Sequence, residues 1–106
     1  MNNIKINKNH RNLPVSLDMI KEFCKAHGIS FLAVFGSYAR GDYKQNSDMD
    51  FLVKFNSKKS LLDVIEDELE MGDTLNKKVQ FVEEDAVPLE LKKMIDREKV
   101  IIYEER

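Results

Sequence analysis

The stretch Gly36-Ser37-Tyr38-Ala39-Arg40-Gly41, followed at Ser47-Asp48-Met49-Asp50 by a pair of aspartates, decides how this chain reads. An apolar run, Ile29 to Phe35, leads into Gly36, and a second, Met49 to Phe55, carries the second aspartate. Both have the length and boundaries of strands, and the first, apolar at nearly every position, reads as buried on both sides. A residue without a Cβ at the end of a strand lets a ligand approach the backbone. Ser37 offers a hydroxyl and opens a short helix whose first N–H groups suit a phosphate. Asp48 and Asp50 are two positions apart, so on an extended strand they share one face. Two carboxylates that close repel unless a cation lies between them. Ligands that are all oxygen favour Mg²⁺ or Mn²⁺, and Mg²⁺ commonly joins carboxylates to substrate phosphates. A phosphate turn and a metal pair about ten residues apart thus form one candidate nucleoside-triphosphate site. The competing phosphate motif, Gly-Lys-Ser/Thr at the end of a P-loop, is absent.

Upstream, residues 1–14 read as a loose polar leader closed by Pro14. The spacing predicts a helix over 16–27. Ser16 is its N-cap, Asp18 lies in its first turn, and Leu17, Ile20, Phe23 and Cys24 share its apolar face, with Gly28 as the stop. Downstream, Ser60 with Asp63 resembles a capping box, and Leu61, Leu62, Ile65 and Leu69 mark one face of a helix stopping near Gly72. Lys78 to Val82 reads as a third strand. Pro88 suits the first turn of a helix with Leu91, Met94 and Ile95 on its apolar side, and Val100 to Tyr103 is a last short strand. The order α-β-turn-β-α-β-α-β predicts a small sheet with helices packed on it. Glu66, Asp67, Glu68 and Glu70, like Lys92, Lys93, Arg97 and Lys99, read as the solvated sides of amphipathic helices.

The chain has 106 residues, which predicts a single domain over 1–106 with a modest core and no second domain beside it. Apolar residues make up 42% and charged residues 34%, the balance of a soluble globule. Seventeen basic and nineteen acidic residues leave a net charge of −2, so no strong nucleic-acid binding is expected. No apolar stretch approaches the roughly 20 residues that span a bilayer, and the polar start lacks a signal core, so neither a membrane nor secretion is indicated. Cys24 is the one cysteine, which excludes an internal disulfide and fits a reducing cytoplasm; in its apolar run it reads as a buried structural thiol.

The segment GSYARGDYKQNSDMDFLV resembles the signature of the DNA polymerase β-type nucleotidyltransferase superfamily: Gly-Ser, a spacer, then Asp-x-Asp. More narrowly the chain is similar to the minimal nucleotidyltransferases, or MntA-like antitoxins, which are about this length and are encoded beside a HEPN-domain toxin. The resemblance covers residues 16–104 and includes the closing pattern Ile95, Glu98, Tyr103. It implies an α+β fold, a small mixed β-sheet with helices packed on one face. It implies that Gly36, Ser37 and Arg40 bind nucleotide, that Asp48 and Asp50 are catalytic and ligate Mg²⁺ or Mn²⁺, and that ATP is the substrate. Arg40 either steadies phosphate or braces the turn, while Ser47 fixes the turn.

One departure from the pattern matters. The family carries a third catalytic carboxylate on the next strand, and here that run reads Val79-Gln80-Phe81, which makes Gln80 a degenerate third position. Glutamine offers a carbonyl oxygen without charge or basicity, and losing a positioned base costs about 10²–10⁴ in rate. Glu84, on the same strand face as Gln80 and Val82, would lie about 13 Å further on and is not expected to substitute.

The resemblance implies Mg-dependent transfer of AMP from ATP to a hydroxyl of a partner HEPN-type toxin, an antitoxin role in the cytoplasm, with an oligomer formed with that partner. The alternative is a transfer-impaired chain that neutralises its partner by binding alone. Small-molecule acceptors rank lower, because those enzymes carry an added helical domain. Template-directed synthesis is disfavoured for the same reason.

Overall fold

In the computed structural model, which describes residues 13–105, the Ser16 hydroxyl accepts the Met19 N–H at 3.2 Å and starts α1 (Leu17–Ala26). This cap removes one of the orphan donors of the first turn. Gly28, at φ +69°, turns the chain into β1 (Ile29–Phe35). A four-residue helix, α2 (Ser37–Arg40), follows Gly36, and a turn leads to β2 (Met49–Phe55). The Ser60 hydroxyl accepts the Asp63 N–H at 3.1 Å and caps α3 (Leu61–Leu75). β3 (Val79–Glu83), a 3₁₀ turn (Glu84–Ala86), α4 (Leu89–Glu98), which Pro88 precedes in extended conformation rather than joining its first turn, and β4 (Val100–Glu104) complete the described residues. No helix among them is long and apolar enough to cross a membrane.

The strands form one mixed sheet in the order β3-β2-β1-β4. β1 pairs antiparallel with β2 and with β4, and β2 pairs parallel with β3. The parallel pair needs a long crossover, which α3 supplies. On one face Ile20, Phe23 and Cys24 of α1, Tyr38 and Ala39 of α2, and Met71 and Leu75 of α3 pack against Leu32, Val34, Met49, Phe51 and Val53. Burial pushes the Cys24 thiol up to about 12, consistent with an inert structural role. The α+β class and the mixed sheet agree with expectation, and the one-face packing describes α1, α2 and α3. α4 adds a smaller layer on the opposite face, where Ile95 packs on Ala33, Phe35 and Leu52. The period-2 alternation of β1 and β2 makes both layers available at once.

Three local expectations are corrected. Residues 1–12 of the polar leader lie outside the described residues, but Leu13 within it is buried in the main core. α3 does not stop at Gly72: it runs on to Leu75 and ends at Asn76, which takes the left-handed conformation at φ 55°. Gly72 instead lets the chain fold back closely, since its carbonyl accepts the Lys77 N–H at 3.0 Å. The third correction concerns which face of α3 is buried. Val64, Asp67, Met71 and Leu75 face inward, whereas Leu61, Leu62, Ile65 and Leu69 stand in solvent.

Asp67, expected on a solvated side, is tolerated inside because it is paired. Lys59 Nζ donates to it at 2.5 Å and to the His27 carbonyl at 2.7 Å, and His27 Nδ1 lies 3.1 Å from its other oxygen. These contacts tie the end of α1 to the middle of α3. Removing one partner would leave a buried charge uncompensated, which is far costlier than never having had the pair.

A Cβ on residue 72 would meet the Lys77 carbonyl oxygen at 2.9 Å. Helix propensity alone favours Ala over Gly by about 1 kcal/mol, while such overpacking costs about 1–3 kcal/mol. Gly72→Ala is therefore expected to lower the melting temperature, measured by circular dichroism, despite its better helix former.

Candidate active site

Strand register brings the site together. Phe35, the last residue of β1, stands opposite Asp50 on β2, and Asp50 in turn stands beside Gln80 on β3. One row across three strands thus holds the entrance to the Gly36 turn, the second aspartate and the degenerate third position. Asp50 and Gln80 fall on the α4 face of the sheet by alternation, and Asp48 lies just before β2. Gly36, Ser37, Arg40, Ser47, Asp48, Asp50 and Gln80 line one open cavity of about 510 Å³, joined by Met94 and Glu98 of α4.

Gly36 is required on two counts. Its φ of +77° is one that L side chains rarely adopt, and a Cβ there would meet Asp50 Oδ2 at 2.7 Å. Its carbonyl accepts the N–H groups of Ala39 and Arg40, both at 3.0 Å, which closes α2. Ser37 accepts through its carbonyl from Gly41 (2.9 Å) and Asp42 (3.2 Å), so the turn is tightly wound. Tyr38 fastens it from below, buried and stacked on Tyr43 with ring centroids 4.1 Å apart. The Ser47 hydroxyl accepts the Lys44 N–H at 2.8 Å, the turn-fixing part expected of it.

Glu98 reaches this site from 62 residues away. Its Oε2 accepts the Gly36 N–H at 2.7 Å, and its Oε1 accepts from Arg40 Nη1 at 3.1 Å. Arg40 Nε also donates to Asp42 at 3.3 Å. Of the two parts open to Arg40, the geometry here is that of a brace, engaged on both sides by carboxylates. Glu98 entered the sequence reading only through the closing pattern of the resemblance. No local signal marks a glutamate at a helix end as a partner of a distant turn. Glu84 is not drawn in: it leaves β3 and takes Lys92 at 3.3 Å.

Negative charge is crowded around Asp50. Burial, then Asp48, then Glu98 raise its pKa above the usual carboxylate value, with Arg40 opposing. The donors Asp48 and Asp50 are hard oxygens lining one cavity, and the space a Cβ at position 36 would fill is taken by the Asp50 carboxylate. This set suits a divalent cation of the Mg²⁺ class. Among the described residues, no three His, Cys, Asp or Glu side chains converge into a metal cluster. Two protein carboxylates are an incomplete shell for such an ion, and oxygens brought by a substrate phosphate would complete it.

The raised pKa carries a sign. Asp50 binds its proton more tightly folded than unfolded, so stability falls as pH rises from the unfolded value through the folded one. At neutral pH the ionised group is a net liability. Asp50→Asn is expected to raise the melting temperature at pH 7 in metal-free buffer, with the gain vanishing near pH 3, where the wild-type carboxyl is itself protonated. Paired thermal melts check this.

The family described as polymerase beta, nucleotidyltransferase, matches residues 18–106. The protein adenylyltransferase MntA of Thermococcus cleftensis is 37% identical over 82 residues, covering 77% of this chain and 83% of that one. A Methanocaldococcus jannaschii protein named as a candidate protein adenylyltransferase is 39% identical over 74 residues, covering 70% and 80%. Among solved structures, a candidate minimal nucleotidyltransferase superposes with a TM-score of 0.69 at 32% identity, covering 79% of this chain and 86% of that one. A toxin–antitoxin complex with AMP-PNP reaches 0.76 at 17% identity, covering 87% and 76%, a likeness of fold. With the Gly-Ser turn and the Asp-x-Asp strand in one cavity, these matches show that the chain belongs to the polymerase β-type nucleotidyltransferase family, among its minimal, MntA-like members.

Proposed function

We propose that this chain transfers AMP from ATP, with Mg²⁺ or Mn²⁺, to a hydroxyl on a partner protein of the HEPN-toxin type and thereby silences it. The observation that carries the reading is the placement of Asp48 and Asp50 beside the Gly36 turn in one cavity. The relatives support it. The Thermococcus cleftensis protein is named a protein adenylyltransferase. A structure of similar fold (TM-score 0.67, 14% identity) holds a tri-AMPylated Shewanella oneidensis HEPN toxin with its MNT antitoxin.

In this reading the Ser37 hydroxyl and the N–H groups of Ser37 and Tyr38 at the start of α2 hold the triphosphate, and Arg40, braced by Glu98 and Asp42, keeps the turn in shape. Asp48 and Asp50 hold the cation. A bound divalent cation supplies positive charge against the phosphate oxygens where negative charge develops. The acceptor oxygen bonds to the α-phosphorus, the bond from that phosphorus to the bridging oxygen breaks, pyrophosphate leaves, and the acceptor loses its proton. Gln80, beside Asp50, is placed to orient the acceptor through its amide but has no basicity with which to take that proton.

Gln80 favours a second reading, in which nucleotide binding persists, transfer is lost and neutralisation rests on binding alone. Incubation with α-labelled ATP and a candidate HEPN-type partner protein separates the two. The first reading predicts label on the partner, lost by about 10²-fold or more in Asp48→Asn. Gln80→Asp is expected to raise the rate by about 10²–10⁴ if only the missing base limits it. No label at any Mg²⁺ or Mn²⁺ concentration, with neutralisation intact in Asp48→Asn, would overturn the first reading and support the second.

A further inference from the structure

Most large apolar side chains of α3 are on the wrong side for the core. Val64, Met71 and Leu75 are buried, yet Leu61, Leu62, Ile65 and Leu69 are 73%, 64%, 40% and 64% exposed. At 100° per residue Leu62, Ile65 and Leu69 form one stripe along the helix, opposite the buried row. Asp63, Glu66, Glu70 and Asp73 form an acidic row along one side of the stripe, all exposed, with Glu70 also 3.2 Å from His27 Nε2, and the helix LLDVIEDELEMGDTL contains no basic residue. Elsewhere the exposed apolar residues are fewer on any one element, such as Met19 on α1 or Ile101 on β4.

From this arrangement we infer that the outer face of α3 is a docking surface for a partner segment of the opposite pattern: an amphipathic helix with an apolar stripe flanked by lysines or arginines. Charge complementarity selects that occupant. A second copy of the chain docked through the same face would bring two acidic rows together, which costs rather than contributes affinity. An apolar helix face laid on an apolar stripe, with charges fixing its register, is a recurrent mode of recognition. The surface also runs toward the candidate active site. Leu69 and Glu68 line one cavity with Gln80, and Gln80 lines the cavity of Asp48 and Asp50 as well. The Leu69 end of the stripe therefore lies near the β3 edge that carries Gln80, beside Lys77 and Lys78, which line the same cavity. This deepens the proposed transfer to a protein hydroxyl and rests on it, since it says how such an acceptor arrives.

The test is a titration of the ¹⁵N-labelled full-length chain with an 18-residue helical peptide of leucine and lysine, lysines flanking one leucine stripe, without nucleotide or metal. The expected result is amide shifts over residues 61–73 and at Gln80. Affinity is expected to fall at least tenfold in Leu62→Ser/Leu69→Ser and again in Glu66→Lys/Asp73→Lys, all exposed positions, with unchanged circular dichroism. Shifts centred elsewhere, or equal affinity for these variants, would overturn the inference. So would equal binding of a leucine–glutamate peptide. Concentration-dependent self-association, abolished by Leu62→Ser/Leu69→Ser in sedimentation velocity, would assign the face to a second copy and overturn it too. Because nucleotide and metal are left out, the result stands apart from whether transfer occurs.

Discussion

The absence of a side chain at Gly36 is the constraint on which the rest of the site depends. The Asp50 carboxylate occupies the space that a Cβ at position 36 would need. The Gly36 carbonyl closes α2 through Ala39 and Arg40, and its N–H is held by Glu98 from the end of α4. One backbone unit thus joins the turn, the second aspartate and the helix on the opposite face of the sheet. Larger residues would have to displace Asp50 and adopt a strained backbone together. The strand register then extends this point sideways, since the β1–β2 and β2–β3 pairings align Phe35, Asp50 and Gln80 in one row.

The site is built against electrostatic preference. Asp48, Asp50 and Glu98 crowd their charges near one turn, with Arg40 as the nearby opposing cation. Such an arrangement costs stability in the free chain and is what a cation with its phosphate ligands would relieve. The structural parts of the fold show the opposite habit. Asp67, inside the core, is matched by Lys59 and His27, and the edge of β3 is covered where the Phe81 N–H donates to Glu68 at 2.6 Å. Charge matched in the scaffold and crowded around Asp50 at the cavity is the pattern expected where function departs from the rules that otherwise specify the fold.

What was legible in the sequence was local. The apolar runs 29–35 and 49–55 coincide with β1 and β2, since unbroken apolar stretches bounded by glycine or polar turns leave little choice of period. Ser16 and Ser60 cap the helices expected of them, because capping involves residues only three apart. The candidate site residues were legible as a group, through a turn and a strand adjacent in sequence. What escaped was set by distant contacts. Glu98 meets Gly36 across 62 residues. On α3 two apolar rows compete, and the buried one contains Asp67, whose partners Lys59 and His27 come from outside the helix. Gly72 reads as a stop in sequence, but the returning Lys77 makes it an interior contact.

The central claim is that Asp48, Asp50 and the Gly36 turn act as one site, through a cation shared with a triphosphate. Calorimetric titration of the chain with a non-hydrolysable ATP analogue, in Mg²⁺ and again in chelator, tests it most directly. The account predicts one nucleotide bound per chain in Mg²⁺, with affinity lower by about tenfold or more when the cation is removed. Equal affinity in both buffers, or no binding in Mg²⁺, would contradict it.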